Sequence, residues 1–188
     1  IVKAEKVTFE YDDHFLKQTY RSRTYIYAAN GKLLLNIPVV HTQKNRQKYK
    51  EVKISQETNW QKHHWKSLLS AYSTSPFFEY YQDELVYLFK TKTNYILDFN
   101  LNCFEVICDC LQLTLDYSKT GEYQKIVEDT TDFRYLVNAK TDEPKFQPYS
   151  QVFDNKHGFI NNLSILDLLF NEGPNALSYL ESQTISAI

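Results

Sequence analysis

The dipeptide Asn30-Gly31 lies between two segments with the composition of short strands, 24–28 and 32–39. Asn and Gly both tolerate positive φ, which a two-residue type I′ turn requires, so this pattern predicts a β-hairpin. Pro38 lacks a backbone donor, and the second strand should therefore end there or lie at the edge of a sheet. Two alternating segments predict further short strands, Lys6–Glu10 and Glu51–Ser55.

The middle of the chain changes to the periodicity of a helix. Four residues recur at every fourth position and share one helical face: Trp60, His64, Leu68 and Tyr72. Thr58 is followed three residues later by Gln61, the spacing of a capping box at a helix start. The same reasoning predicts a second helix from Ser75-Pro76 to about Lys90, a third over Tyr95–Leu111, a strand over Leu113–Tyr117 and a short helix over Asp129–Asn138.

The segment Ser164–Pro174 carries the signals of a helix start and a helix stop. Ser164 is predicted to cap the helix, with Asp167 at N3 as the acidic form of the capping box. Gly173 should end this helix, and Pro174 should begin a last one that runs to about Ser182. These elements predict an α+β fold in which an N-terminal β-hairpin or small sheet packs against a mainly helical middle and C-terminal part. A length of 188 residues suits one domain over 1–188.

Charge and cysteine content argue against several classes of protein. The formal net charge is −2, whereas dedicated nucleic-acid-binding proteins usually carry a basic excess. The basic segment Lys44–Lys50 is therefore interpreted as a solvated loop that could serve as a lid. Three cysteines lack the C-x-x-C spacing and indicate reduced thiols in a reducing compartment: Cys103, Cys108 and Cys110. No apolar run approaches the length of a membrane span.

Three cations within seven residues, Lys17, Arg21 and Arg23, form the first candidate site. Arginine presents a planar fork that suits a carboxylate or a phosphate, so this cluster could hold an anionic group. The alternative interpretation is a solvated basic strand end that pairs with Asp12 and Asp13. The spacing alone favours this alternative.

Two further candidates lie in the middle and near the C-terminal end. His63 and His64 have no metal-ligand spacing, so no metal site is predicted, and His64 on the apolar helix face is interpreted first as a core histidine. A general base would need a cleft and a carboxylate behind it. The segment Gln151–Asn162 mixes hydrogen-bonding and aromatic residues around Gly158 and has no local structural explanation. We therefore expect it to line a site.

Several groups of residues together resemble the WbqC-like protein family. They are Lys17–Arg23, Asn30-Gly31, Ile37–Val39, Trp60 with His64-Trp65, Ala71-Tyr72, Ser75–Phe78 with Tyr81, Asp132 with Arg134, Tyr149 with Gln151–Phe153, Lys156–Phe159, Asn162–Ser164 and Asp167–Pro174. The resemblance extends over nearly the whole chain in order. Similar members usually begin with a strand and an aromatic, Pro-containing motif just upstream of Lys3. That motif is absent here, so a short N-terminal segment is expected to be missing.

The resemblance implies a bacterial, cytoplasmic protein that acts on a nucleotide-linked or lipid-linked sugar during synthesis of surface polysaccharide of the O-antigen type. A glycine or other aminoacyl transferase role has been suggested for this family, and the hypothesis for this chain is a transferase that moves an acyl, aminoacyl or glycosyl group. Arg21 and Arg23 would then hold an anionic donor, assisted by Lys17. His64 or His157 would act as the general base.

The remaining polar groups of these motifs receive supporting roles under the same resemblance. Asp132 is a third candidate for catalysis and would orient reacting groups together with Arg134. Gln151 and Asn162 would recognise sugar hydroxyls. The motifs G-x-G-x-x-G, G-x-x-x-x-G-K-[ST] and G-x-S-x-G are absent, and no cofactor is predicted.

Two other functions stay open at this point. The absence of a familiar catalytic motif favours a non-catalytic binding or scaffold protein of the same pathway. Nucleic-acid binding through Lys44–Lys50 is the least favoured, because the charge balance opposes it.

Overall fold

The computed structural model describes residues 1–40, 42, 47–140 and 144–185. Within these ranges the strands are β1 (Val7–Phe9), β2 (Arg23–Ala28), β3 (Gly31–Asn36) and β4 (Tyr117–Lys119). The helices are α1 (Trp60–Tyr72), α2 (Phe78–Lys90), α3 (Ile96–Cys110), α4 (Asp154–His157), α5 (Ile165–Glu172) and α6 (Ala176–Ser182). Short 3₁₀ turns cover Tyr49–Glu51, Arg134–Val137 and Gly173–Asn175. The predicted α+β class is confirmed.

The predicted hairpin is formed by β2 and β3, which pair antiparallel with Ala28 opposite Gly31. Ala29 and Asn30 are therefore the central residues of the turn. Neither has positive φ, whereas Gly31 directly after them has a φ of 100°. The prediction of a type I′ turn is wrong, because Gly31 is not one of the two central residues of the turn. It adopts its positive φ at the position directly after them.

A second, two-stranded sheet joins distant parts of the chain. β1 runs parallel to β4, with Val7 opposite Tyr117, and the hydroxyls of Thr8 and Ser118 lie 2.8 Å apart. The alternation at Leu113–Tyr117 predicts a strand that overlaps β4 only at its last residue. The pairing of strands so far apart in sequence could not be predicted from local pattern.

The segment Glu51–Ser55 does not form the strand that its alternation predicts. Within it only isolated bridges occur, between Val39 and Ile54 and between Lys53 and Tyr95. These bridges still tie the end of the hairpin to the start of α3. The alternating residues still have one buried side, formed by Val52 and Ile54, but no continuous neighbouring strand pairs with the segment.

The basic loop before this segment is described only in part. Residues 43–46 lie outside the described residues, so the interpretation of Lys44–Lys50 as a lid falls partly outside them. The Nζ atoms of Lys48 and Lys50 lie 3.0 and 2.6 Å from Oδ1 of Asp12. The C-terminal end of this loop is therefore held at Asp12, a carboxylate that the sequence suggested as a partner of the Lys17–Arg23 cluster.

Helices α1 to α3 appear within a few residues of their predicted bounds, but the start signals predicted for α1 and α2 are not used. α1 has no side-chain cap, and Gln61 instead donates to the carbonyl oxygens of Leu88 and Thr91 at 3.0 and 2.7 Å. α2 begins at Phe78, two residues after Pro76. The helix predicted over Asp129–Asn138 is reduced to one 3₁₀ turn.

The start of α5 confirms only half of the predicted capping box. Ser164 Oγ accepts a hydrogen bond from the amide of Leu166 at 3.4 Å, as a cap should. Its own amide donates to the carbonyl of Tyr25 at 2.7 Å, so Asp167 does not complete the box. This bond ties the start of α5 to β2. Gly173 ends the helix as predicted, with a φ of 53°.

The core lies where the hairpin, α1, α2, α3 and α5 meet. Its fully buried large side chains include Tyr27, Tyr72, Phe78, Leu85 and Phe170. Burial of these aromatic and aliphatic groups supplies the main driving force for the fold. Among the described residues, no helix has both the length and the apolar character needed to cross a membrane.

Candidate functional site

A cavity of about 200 Å³ opens where the start of β2 meets the helices. Most of its wall is apolar and comes from α1, α2, α3 and the first turn of α5. Three of the predicted site residues also line it: Arg21, Arg23 and His64. We refer to this space as the β2 cavity.

Arg21 is fixed by several partners. Its guanidinium forms an ion pair with Asp13 and donates to the carbonyl oxygen of His14 at 3.3 Å. It also lies 4.7 Å from the ring centroid of Tyr49, a cation–π contact, and the residue is only 8% exposed. The pairing with Asp13 agrees with the alternative that the sequence favoured for this cluster, but the expectation of a solvated strand end is wrong for Arg21, because this residue is buried. Arg21 therefore shapes the wall of the β2 cavity with its charge already compensated.

Arg23 differs from Arg21 in having no such compensation. Its Nε atom is buried and has no hydrogen-bond partner within the described residues. The guanidinium of Arg23 also forms no ion pair with any of the described residues. Most buried polar groups are hydrogen-bonded, and leaving one unpaired costs free energy. A ligand in the β2 cavity that accepts a hydrogen bond from Arg23 would remove this cost.

His64 lines the β2 cavity from α1. Its ring packs edge-on against Trp60, with 5.1 Å between centroids. Burial lowers the pKa of His64 to about 4, against a hydrogen bond with the backbone of Asn36 that acts in the opposite direction. The imidazole is therefore neutral at pH 7 and has a nitrogen that can accept a proton or a hydrogen bond.

Two residues of α3 that line the cavity, Asn100 and Cys103, were not predicted as site residues. Asn100 on α3 donates to the carbonyl oxygen of Arg21 at 2.8 Å and to the hydroxyl of Tyr49 at 2.6 Å. Cys103 lies one turn further on, and burial raises the pKa of its thiol to about 12. The thiol is protonated at pH 7, so Cys103 does not supply a reactive thiolate. A polar residue within the apolar stripe of α3 was the available signal for Asn100.

The N-terminus of α5 also faces the β2 cavity, through Ser164, Ile165 and Leu166. A helix N-terminus favours negative charge, although Asp167 in the first turn opposes this. The predicted site residue Asn162 lies close by, and its amide nitrogen is 3.3 Å from the hydroxyl of Tyr20, another lining residue. Asn162 is thus adjacent to the cavity without lining it.

Gln151 has a different position from the one expected. It is 4% exposed, and its side chain bonds both backbone groups of Ile160, with Nε2 donating to the carbonyl and Oε1 accepting from the amide. Nε2 also donates to Oδ2 of Asp167 at 2.9 Å. The side chain is fully engaged in holding the segment Gln151–Asn162 against α5 and does not line the β2 cavity.

Asp167 is the centre of this arrangement, and sequence reasoning assigned it only a capping role. It is fully buried, and its carboxylate accepts hydrogen bonds from Tyr72 at 2.7 Å and from Tyr149 at 2.6 Å, besides Gln151. Burial raises the pKa of Asp167, while these three donors act to lower it. A buried carboxylate with three donors organises the contact between α1, α5 and the segment before α4.

Asp132 and Arg134 pair with each other away from the β2 cavity. Nη2 of Arg134 lies 2.6 Å from Oδ2 of Asp132, and Nη1 donates to the carbonyl of Gln124 at 2.6 Å. The hydrogen bond with Arg134 holds the pKa of Asp132 below its usual range. This geometry accounts for both residues as a clamp on the surface segment 124–134.

His157 and Lys17 also lie outside the cavity. Both are exposed, and Nε2 of His157 lies 3.0 Å from the carbonyl oxygen of Ala29 at the tip of the hairpin. Lys156 donates to the same oxygen at 2.8 Å. Of the nine predicted site residues, the structure therefore unites three, Arg21, Arg23 and His64.

A shallower groove of about 380 Å³ lies at the other end of the hairpin. It is lined by Ala28, Ala29 and Leu33 and by the exposed face of α1 that carries His63 and Lys66. None of the predicted site residues lines it. Its charged groups are exposed to water, so it lacks a charged group with a buried, unpaired nitrogen, such as Arg23 has at the β2 cavity.

The family model for the WbqC-like protein family matches residues 1–143 and 137–179 of the chain. The chain belongs to this family. It is also 28% identical over 199 residues to a protein from Mycobacterium tuberculosis named Uncharacterized protein Rv1507c, with 90% of this chain and 85% of that protein covered. No solved structure matches the chain.

The residues on which the WbqC-like resemblance rests fall into separate places in the structure. One set surrounds the β2 cavity and includes Arg21, Arg23 and His64. A second set forms the Asp167 network and includes Tyr72, Tyr149 and Gln151. A third, the pair of Asp132 and Arg134, holds a surface segment. The motifs of this WbqC-like chain therefore combine one cavity with structural anchors.

Metal binding needs several ligands grouped in space. In the described ranges, no group of three or more His, Cys, Asp and Glu side chains could hold a metal ion. The chemistry available at the β2 cavity is that of a guanidinium, a neutral imidazole and an apolar wall.

Proposed function

We propose that this WbqC-like protein is a transferase for an acyl, aminoacyl or glycosyl group, acting on a nucleotide-linked or lipid-linked sugar in bacterial surface-polysaccharide synthesis, with its site at the β2 cavity. The pathway comes from the resemblance to the family. The observation that supports a site is that Arg23, a cation without a partner among the described residues, and His64, a neutral imidazole, line one cavity.

The two side chains would have complementary roles. Arg23 would hold a negatively charged or polarised oxygen of the donor. His64 would take the proton of the acceptor hydroxyl or amine as that group attacks the donor carbon. The donor's leaving group would depart with the electrons of the broken bond. A pKa of about 4 makes His64 a weak base, so positioning must contribute much of the rate.

A complementation experiment tests this function. The surface polysaccharide of a strain that lacks the gene is compared by mass spectrometry with that of strains that carry wild type, His64→Gln or Arg23→Gln. We expect the deletion to remove one substituent or sugar from the repeat unit, wild type to restore it, and neither variant to do so. His63→Gln is the matched control, because His63 is exposed on a different side of α1. Full restoration by His64→Gln would exclude the role of His64.

A second candidate is a binding protein of the same pathway that performs no chemistry. It is favoured by the position of Asp132 and His157, two of the three candidate catalytic residues, away from the β2 cavity. Under this alternative His64→Gln complements fully, while Arg23→Gln does not. Purification of wild type with a stable partner protein, retained in His64→Gln, would support it.

A further inference from the structure

The charges around the β2 cavity do not balance. None of the described residues that line it is acidic. Arg21 is compensated by Asp13, which lies outside the lining, and His64 is neutral at pH 7 because burial lowers its pKa to about 4. Within the described part of the chain, the guanidinium of Arg23 is thus the uncompensated charge of this space. A cation against an apolar wall gains more from an anionic partner than the same cation in water.

The size of the cavity limits what this partner can be. A volume of about 200 Å³ corresponds to about seven non-hydrogen atoms of an alkyl chain, if each occupies about the 30 Å³ of a water molecule in the liquid. Sites for drug-sized ligands are larger. A nucleotide exceeds this space. Only a small part of a sugar-linked substrate could enter it.

The wall determines the chemistry of that part. The lining from α2 consists of Leu85, Leu88 and Phe89, and α3 adds Phe99 and Ile107. Asn100 of α3 also lines the cavity, but its side-chain amide already donates to two partners. The hydroxyl groups of the lining lie on the other side, near β2 and the start of α5: Ser22, Thr24 and Ser164. Leu85 and Leu88 are 1% and 6% exposed. Such a wall offers hydroxyl groups few partners, and a buried hydroxyl without one is costly. An alkyl or aryl chain would be stabilised there by burial.

We infer that the β2 cavity binds a small acyl group, with its carboxyl or carbonyl oxygen at Arg23 and an apolar chain of about four to five carbons between α2 and α3. This inference rests on the proposed transferase function and selects the acyl class from its three alternatives. Only the attacking hydroxyl or amine of the sugar-linked acceptor would then reach the cavity, at His64, and the rest of the acceptor would remain outside. A free carboxylate of this size is the simplest probe of the site.

Calorimetric titration of the purified chain at pH 7 tests the inference. The probes are acetate, isovalerate, hexanoate and decanoate, with isovaleramide as the neutral analogue and glucose 1-phosphate as the polar anion. We expect isovalerate and hexanoate to bind most tightly, acetate and decanoate weakly, and glucose 1-phosphate not to bind. The amide should bind about tenfold or more weakly than isovalerate, because it lacks the charge.

Variants assign the binding to this cavity. Arg23→Gln should weaken isovalerate about ten- to a hundredfold, whereas Lys66→Gln, a loss of charge on the opposite side of α1, should leave it unchanged. Leu88→Phe, which adds volume to the wall, should shift the preference from hexanoate to shorter acids. Thermal unfolding of each variant confirms that it is folded. The inference is overturned if isovalerate does not bind wild type, or binds Arg23→Gln equally well.

These outcomes separate the inference from the proposed function. If the carboxylates bind as expected but His64→Gln restores the polysaccharide, the acyl-binding cavity stands and the catalytic role falls. If no carboxylate binds but both His64→Gln and Arg23→Gln fail to complement, the transferase stands and the acyl class falls.

Discussion

Tyr149 donates its hydroxyl hydrogen bond to Oδ2 of Asp167 at 2.6 Å, across 18 residues of chain. Tyr72 donates to the other carboxylate oxygen and itself accepts from the amide of Tyr27 in β2 at 2.9 Å. One buried carboxylate therefore connects the hairpin, α1, α5 and the segment before α4. The segment Gln151–Asn162 is held in place by this network.

The first prediction concerns the hydroxyl of Tyr149. Tyr149→Phe removes one of three donors to a buried carboxylate while keeping the ring, so the free energy of unfolding should fall by about 1.5–3 kcal/mol. Tyr87→Phe is the control, because Tyr87 is 60% exposed and makes no side-chain hydrogen bond within the described residues. Urea unfolding at pH 7 measures both. Equal stability of Tyr149→Phe and wild type would contradict the network.

The second prediction is the pH dependence that Asp167 confers. Burial raises its pKa above the unfolded value of 3.8, so the folded state retains the proton to higher pH than the unfolded state. The stabilisation of wild type relative to Asp167→Asn is therefore greatest below pH 3.8 and declines as pH rises through the folded pKa. Unfolding of both proteins at a series of pH values gives this difference. A difference that grows with rising pH would show a lowered pKa instead.

Local pattern predicted the elements of this fold better than their connections. The hairpin and α1 to α3 follow from turn residues and helical periodicity, because each signal lies within the element. The parallel pairing of β1 with β4 was missed, since it depends on packing between distant segments. Asp167 satisfies a local capping rule in the sequence, yet its side chain is used in the core. A local sequence pattern cannot distinguish these uses.

Only part of the candidate site could be predicted, because the sequence shows which residue types are present but not which of them lie together. Arg23 and His64 could be named as residues, but only the three-dimensional structure shows that they share a cavity. Asp132 and Arg134 carry the same kind of side chains and pair with each other. The residue type shows which side chains could bind or react with a substrate. Only their position in the fold shows whether another side chain of the protein already pairs with them.

The third prediction tests the close contact at the end of α5. Gly173 has a φ of 53°, and a Cβ atom added to it would lie 2.5 Å from the ring of Phe77. Gly173→Ala should therefore destabilise the fold by about 2–4 kcal/mol, from the left-handed backbone and the overpacked ring together. Gly121→Ala is the control, because nothing lies within 4 Å of the position that its Cβ would take. Thermal and urea unfolding compare the two.

The fourth prediction concerns the side chain that caps α2 from outside. Gln61 Nε2 donates to the carbonyl oxygens of Leu88 and Thr91. Gln61→Ala leaves both without this donor and should lower stability by about 1 kcal/mol. Gln82→Ala on α2 is the control, since Gln82 makes no side-chain hydrogen bond in the described part of the chain. Hydrogen exchange at the last turn of α2 should accelerate only in Gln61→Ala.

The last prediction is the titration of His64. Its pKa of about 4 lies below the usual histidine value of 6.5, so the unfolded state takes up the proton first as pH falls. Stability should therefore fall between pH 6.5 and about 4, by up to about 3 kcal/mol, and His64→Gln should lack this loss. His63→Gln controls for the effect of the substitution on the helix. Ring signals of His64 in nuclear magnetic resonance give the midpoint directly, and a midpoint near 6.5 would contradict its burial. Isovalerate bound at Arg23 would place a negative charge in the cavity that His64 also lines, so the midpoint should then move upward.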